Sequence, residues 1–484
     1  MLFPTFQFIF LFLPFSLLTF LYLNKTFNKR FTIQILLFTS VVFYLLPNWA
    51  DGYIIFSSII INFFISKKIQ AEKKHYSKLF LIIGIIFNLI VIFYFKYFFF
   101  FSEIYSNLTS HHNYIEKLIL PVGISFYTFQ QIAYLVDCYK DRNVNYNFSE
   151  YALFVTFFPQ LIAGPIVHHK EIMPQISNLK NKPYNINMLN IGISMFIIGL
   201  LKKLVLADNL AKLSNPVFSM AENNENLSMI SSWVGALAYT FQLYFDFSAY
   251  SDMAIGLGLM FGLMLPLNFY SPYKSVSIVE FWRRWHITLS TFLRDYLYIP
   301  LGGNKNGKFN RYRNLFLTML LGGLWHGAGW NFIIWGGLHG LYLVINHGFT
   351  NILSTCNFKL PRIVGITITM FAVVIAWVFF RAETTEGAFN ILKSMFMGYS
   401  LVDQNGWSFS DYSLVIIAAA IAFFAPNTAQ LFKYDGCKTK IDQDSWLLYK
   451  NRGHAIILSI IKGLMLALAI MYMAQPTVFL YFNF

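Results

Sequence analysis

The chain has 484 residues, of which 57% are hydrophobic and only 12% charged, with 54 phenylalanines. A soluble domain carries about 25% charged residues, so this composition excludes an ordinary soluble enzyme and points to a bilayer. The net charge of +14 would suggest nucleic acid in a soluble protein. Here it reads as loop charge facing the cytoplasm and anionic membrane lipids, and no nucleic-acid partner is expected.

A spanning helix needs roughly 20 largely apolar residues. The apolar runs here are continuous, not alternating, so the spans are predicted as helices rather than barrel strands. Residues 3–23 form the first. They lack a basic start and a small-residue cleavage site, so a retained span is expected, not a cleaved signal peptide. Lys25, Lys29 and Arg30 follow, then a second span to about Leu46 and the turn "PNWADG", which has no basic residue. A third span runs to Ile65 and ends in the lysine-rich "KKIQAEKKHYSK". Residues 79–101 span again, and the loop to Glu116 has no Lys or Arg. This alternation predicts an N-terminus outside and the loops near 25–30 and 66–78 inside.

Further candidates lie near 118–136, 188–206, 230–265, 315–348, 362–380, 412–425 and 455–474. Between them, "FFPQLIAGPIVHH" (157–169) and "FWRRWHITLSTFLRDYLYIPLGGN" (281–304) are too polar or too broken by Pro and Gly for simple spans. Such backbone is tolerated at membrane depth only inside protein or along a cavity, so both are expected to line one. The basic stretch 433–454 precedes a single span, which predicts a C-terminus outside. No internal repeat is visible, which counts against an inverted-repeat transporter. The expected organisation is 1–115 as N-terminal membrane helices, 116–430 as a core that holds the interrupted segments, and 431–484 as a loop, a last span and an aromatic tail.

Several chemical signals fail. Cys138, Cys356 and Cys437 form no CxxC pair, so neither a disulfide framework nor a metal site is expected. "GGNKNGKF" (302–309) nearly fits a phosphate-binding loop, but Phe309 stands where Ser or Thr should hold Mg²⁺. There is no G-x-S-x-G elbow. The adjacent pairs His111–His112 and His168–His169 read as loop histidines.

Two stretches remain. In "EFWRRWHITLSTFLRDY" (280–296), Arg283, Arg284 and Arg294 lie among Trp282, Trp285 and Phe292, beside His286. The arginines fit an interfacial helix at cytoplasmic headgroups, and equally a site for a phosphate-rich donor, since guanidinium forks bind phosphate bidentately. "LGGLWHGAGWNFIIWGGLHG" (321–340) sets His326 among Gly322, Gly323, Gly327 and Gly329, which strip its surroundings of side chains and let a helix or a substrate approach. Apolar surroundings favour a neutral imidazole, the form a general base needs. His339 is thirteen residues on, about 140° around an ideal helix, and reads as structural.

These two stretches, with "LPVGISFYTFQQIAYLVDCYK" (120–140) and "FFPQLIAGPI" (157–166), resemble the membrane-bound O-acyltransferase superfamily over nearly the whole chain. The bacterial branch containing the alginate O-acetylation membrane protein is the nearer likeness, with the teichoic-acid D-alanylation protein as a cousin. The resemblance implies an all-α polytopic membrane protein, with a ring of about 11–13 helices around a funnel and re-entrant or interfacial segments. It implies a catalytic His326 and a second polar site residue at His286, where much of the superfamily has asparagine. Candidates for contacting donor or substrate are Arg283, Arg284, Trp285, Trp325 and Asn331. The expected donor is a cytoplasmic thioester, acetyl-CoA, with no tightly bound cofactor.

The segment "PTVFLYFNF" (476–484) fits an aromatic anchor at the bilayer surface. It also resembles an aromatic signature of this branch in which a tyrosine is an acyl relay. A phenol, pKa about 10, is a leaving group close to a thiol at about 8.5, so an ester on Tyr481 would keep much of a thioester's transfer potential. The expected function is O-acetylation of a cell-envelope polysaccharide, alginate-like or peptidoglycan, across a bacterial inner membrane, completed by an extracytoplasmic O-acetyltransferase partner acting on the glycan. The alternatives are D-alanyl or other acyl transfer from a carrier protein, a polysaccharide exporter without chemistry, and a scaffold for polymer synthesis.

Overall fold

The computed structural model describes residues 2–109, 118–142, 146–179, 184–305, 307–398, 406–437, 452–474 and 479–480. Among the described residues every regular element is a helix. Five helices are long and apolar enough to cross a membrane: Gln7–Thr26, Asp51–Ala71, Lys74–Thr109, Ile186–Glu222 and Arg362–Arg381. Phe409–Phe424 and Ile456–Tyr472 are shorter apolar helices. This is a multi-pass, all-α membrane protein.

The chain forms two compact units that interleave along the sequence. One comprises Met1–Ile197, Tyr250–Leu267 and Phe432–Lys462; the other comprises Ile198–Ala249, Asn268–Leu431 and Gly463–Phe484.

Apolar area burial is a weak organiser where the solvent is itself apolar. The first unit relies instead on ring packing, close backbone approach and buried polar pairs. Phe8, Phe12, Phe43 and Phe158 form one aromatic cluster with centroid spacings of 5.3–6.2 Å. Gly192 and Gly256 let their helices meet backbone to backbone, since a Cβ on Gly192 would lie 2.6 Å from the Gly256 carbonyl oxygen. Asn62 and Asn88 exchange amide hydrogen bonds of 3.2 and 2.6 Å between the helices Asp51–Ala71 and Lys74–Ile92. Each such bond contributes about 0.6 kcal/mol in a membrane protein.

The segment 157–169 is interrupted as expected. A single turn, Phe158–Leu161, is followed by irregular, almost wholly buried backbone. One expectation is corrected here: His169 is not a loop histidine. It is buried, with Nδ1 3.2 Å from Asp137 Oδ2, because the helix Ile124–Lys140 carries Asp137 into the interior. His168 caps the helix His169–Ser177. His111 and His112 lie outside the described residues.

In the second unit, the glycine-rich stretch is two helices rather than one. Gly307–His326 ends at the histidine and Trp330–Thr355 begins four residues later. The 140° relation between His326 and His339 therefore does not hold, because Gly327–Gly329 turns the chain back on itself. The glycines make this hairpin tight. A Cβ on Gly323 would fall 2.2 Å from the Phe332 carbonyl oxygen and 2.9 Å from Gly336 Cα, and one on Gly336 would lie 2.5 Å from the Met319 carbonyl oxygen. What approaches the glycine face is the chain's own next helix.

"GGNKNGKF" follows a π-helical turn, Arg294–Tyr298, not a strand. Its first half is a left-handed turn with Gly302 at φ 108° and Gly303 at φ 56°. Asn314 Nδ2 donates to the Gly303 carbonyl at 3.1 Å and holds that turn.

The hairpin generates a prediction. Gly323→Ala forces the two helices apart and lowers stability by about 1–3 kcal/mol, the cost of overpacking a tight contact. Gly337→Ala, whose nearest neighbour would be Leu320 Cδ1 at 3.8 Å, leaves stability unchanged or slightly raised. Thermal denaturation of the two variants in detergent checks both, and equal melting temperatures would refute the backbone-contact account.

Candidate active site

Residues 278–298 reach the site through a deliberate break. Ser277 caps the helix Ile278–Arg284 by accepting from the Glu280 N–H. The chain then leaves helical geometry at Trp285 and turns left-handed at His286, with φ 42° and ψ 54°, before the helix Ile287–Leu293 begins. The break is stitched to the preceding extended segment: Tyr270 N–H donates to the Arg284 carbonyl and Ile287 N–H to the Asn268 carbonyl, both at 2.9 Å. The single interfacial helix is thereby corrected to two short helices with His286 at the corner.

His286 is fully buried. Its Nδ1 is 3.0 Å from Asn268 Oδ1. That oxygen also receives the Thr288 hydroxyl at 2.9 Å and faces the Thr288 N–H at 3.4 Å. An oxygen can only accept, so Nδ1 carries the proton and, in the neutral ring, Nε2 carries the lone pair. The edge of Phe247 closes one side, with centroids 4.8 Å apart at 88°.

His326 is the last residue of its helix and is also buried. It sits in an aromatic shell of Trp325 (4.8 Å between centroids), Trp335 (5.0 Å) and Phe380 (5.2 Å), each near perpendicular to it. The rings of His286 and His326 are 6.4 Å apart between centroids, and Trp325 is 6.3 Å from His286. The two histidines, forty positions apart in sequence, are thus neighbours among buried aromatic rings. Burial of both side chains strengthens any electrostatic interaction they make.

The remaining candidates divide. Trp325 borders both imidazoles. Trp285 is buried against Phe281, Phe269 and Trp377 at 4.9–5.6 Å. Asn331 gives its amide to the Ala382 carbonyl at 2.7 Å, tying the second hairpin helix to the end of Arg362–Arg381. Arg283 is exposed. Arg284 pairs with Glu280 one turn back at 2.6 Å, and Arg294 with Asp295. His339 accepts from Trp282 Nε1 at 3.2 Å through its own Nδ1 and meets Trp335 edge-on, with centroids 4.9 Å apart. Tyr481 lies outside the described residues.

Sequence reasoning missed Asn268, Thr288, Trp335 and Phe380. Trp335 and Phe380 look like any membrane aromatic. Asn268 had a signal: an amide amid "LPLNFYSPY" (265–273), an apolar but irregular stretch, has to find buried hydrogen-bond partners.

A helical membrane protein with two buried imidazoles set close together has the makeup of a membrane-embedded enzyme. The chain belongs to the MBOAT, membrane-bound O-acyltransferase, family, whose model matches residues 2–385, and it is an acyltransferase. It is 39% identical to the peptidoglycan O-acetyltransferase of Helicobacter pylori, over 100% of this chain and 98% of that one. It is 42% identical to a probable alginate O-acetylase of Pseudomonas aeruginosa, over 82% of this chain and 75% of that one. Half of the chain is 30% identical to the teichoic acid D-alanyltransferase of Streptococcus thermophilus, over 60% of the latter.

The Asn268 contact makes a prediction. Asn268→Ala releases Nδ1 of His286 and lowers acyl transfer, taking as a guide the roughly 10- to 100-fold effect of partners that orient metal-bound histidines. Asn268→Asp, which keeps the acceptor, retains most of it. Initial rates in membranes normalised for protein amount check this, and parity between Asn268→Ala and wild type would remove Asn268 from the site.

Proposed function

We propose that this chain is a bacterial inner-membrane O-acetyltransferase that takes acetyl groups from a cytoplasmic thioester, acetyl-CoA, and passes them across the membrane for O-acetylation of a cell-envelope glycan. The observation that carries the reading is the pair of buried imidazoles, His286 and His326, in one aromatic pocket. The family membership and the names of the two O-acetylating relatives support it.

His326 acts as the general base. It takes the proton from an acceptor hydroxyl, the oxygen attacks the thioester carbonyl, the carbon–sulfur bond breaks, and the thiolate leaves with that proton. General-base catalysis of this kind contributes roughly 10²–10⁴-fold. With Nδ1–H committed to Asn268, a neutral His286 offers a lone pair at Nε2. That suits holding the acceptor hydroxyl better than polarising the carbonyl, which would need a donor. Exposed Arg283, with Arg284, is suited to meet the donor's phosphates.

The first acceptor is the phenol of Tyr481. Its ester is energetic enough to be passed on by an extracytoplasmic O-acetyltransferase partner to the glycan. The termini are accordingly assigned to the outer side. A second reading, D-alanyl transfer from a carrier protein, rests on the half-chain likeness to the D-alanyltransferase.

Membranes carrying wild type, His326→Ala or Tyr481→Phe, incubated with acetyl-CoA, test the scheme by the mass of the C-terminal peptide. One acetyl on Tyr481 of wild type alone, released by hydroxylamine, is expected. Acetylated glycan in cells carrying His326→Ala would eliminate that residue as the base. Label from a D-alanyl carrier, with none from acetyl-CoA, would select the second reading.

A further inference from the structure

The chemistry of His326 and His286 leaves one charge without a partner. As a hydroxyl oxygen attacks a thioester, the π pair of the carbonyl moves onto its oxygen, and preorganised donors aimed at that oxygen stabilise it. His286 spends its Nδ1–H on Asn268, so the donors have to come from elsewhere.

The helix Trp330–Thr355 carries two. Trp335 and His339 lie one turn apart on the same face, with ring centroids 4.9 Å apart, and are 1% and 0% exposed. An indole nitrogen only donates. The bond from Trp282 Nε1 therefore makes His339 Nδ1 an acceptor and places the proton of a neutral ring on Nε2. That Nε2–H finds no acceptor among the described residues, and neither does the Trp335 Nε1–H. Buried polar groups are nearly always paired, and a buried donor left without an acceptor costs stability. The rings that surround Trp335 at 5.1–5.9 Å, those of Trp282, Trp377 and Phe380, offer no oxygen. Yet Trp335 is 5.0 Å from His326 between centroids. His326 is itself only 4% exposed, so an acyl group that reaches the base enters this same shell of rings.

We infer that Trp335 and His339 form the oxyanion site, whose two N–H groups receive the carbonyl oxygen of the acyl donor. The inference rests on the general-base role given to His326 above. The acceptor oxygen bonds to the carbonyl carbon, its proton passes to His326, and the carbonyl π pair becomes an oxyanion held by Trp335 Nε1–H and His339 Nε2–H. The pair then returns to the carbonyl, the carbon–sulfur bond breaks, and the leaving thiolate takes the proton from His326. Neither donor gives up its own proton, so an indole and a neutral imidazole suffice. Trp282 is a positioning residue: it sets the tautomer of His339 without touching the acyl group. His339 thereby gains a chemical role in place of the structural one expected from its place in the sequence.

Steady-state kinetics of the full-length protein in lipid nanodiscs, with acetyl-CoA as donor, test the site. Wild type is the control on the donor: turnover of a D-alanyl carrier thioester but not of acetyl-CoA ends the acetyl reading alone, and the variants are then compared on that thioester. Wild type inert with both overturns acyl transfer and the oxyanion site together. Trp335→Phe keeps a ring and removes the N–H. It lowers kcat by about 10²–10³-fold, the loss from deleting one oxyanion donor, and moves KM by less than about threefold, because the bond is made in the transition state. His339→Leu loses as much, whereas His339→Gln, which restores a donor near the Nε2 position, keeps most of the rate. Where Trp335→Phe lowers the melting temperature, the benzothiophene analogue of tryptophan at position 335 decides, since it keeps both fused rings and exchanges the N–H for sulfur. Wild-type kcat in that variant or in His339→Leu, or equal losses in His339→Leu and His339→Gln, overturns the site.

Discussion

The second unit is organised by a contact that contains no side chain. Gly323 and Gly336 bring two helix backbones so close that a methyl group on either would strike a carbonyl oxygen. In lipid, where an apolar surface gains little by leaving its surroundings, close backbone packing of this kind is a main source of helix association. It also decides what stands next to what. Folding Trp330–Thr355 back on Gly307–His326 brings Trp335 against His326 and His339 against Trp335. The glycines that weaken each helix by itself are what give the imidazole its enclosure.

Around that enclosure the chain separates functions that look alike in sequence. Three imidazoles lie within a few rings of one another, yet their Nδ1 atoms have different duties. In His339 that atom accepts from an indole, so the ring proton is directed to the other nitrogen. In His286 it faces an amide oxygen, so the lone pair is directed to Nε2. His326 sits against three aromatic faces and edges. The ring nitrogen presented to a reaction is set by the neighbour of the opposite nitrogen, and here an asparagine and a tryptophan on other elements make that choice.

Much of this was legible beforehand because composition and motif are local properties. Continuous apolar runs located Arg362–Arg381 and Phe409–Phe424 to within a few residues, whereas the run at 315–348 is two helices and the one at 188–206 is only the first part of Ile186–Glu222. The two histidine motifs were visible because polar rings in apolar sequence require a reason. What could not be read was pairing at a distance. Asn268 serves His286 across eighteen positions, and Asp137 meets His169 across thirty-two. Nothing in the local pattern of either histidine names its partner. The helix break after His326 was equally hidden: a glycine every few residues is compatible with one kinked helix or with a hairpin, and only the close approach of Gly323 to Gly336 distinguishes them.

The left-handed backbone at His286 has a further consequence. A side chain at φ 42° is uncommon, and asparagine, aspartate and histidine are several-fold over-represented among the residues that accept it. The corner between the two short helices therefore favours a narrow alphabet before any chemistry is considered: glycine, and the polar asparagine, aspartate and histidine. Leucine or valine would meet a conformational penalty there even with ample room. The backbone acts as a filter on what this position can become, and among residues with a side chain it favours ones that can still hydrogen-bond. Chain geometry and side-chain polarity are thus coupled at this one residue.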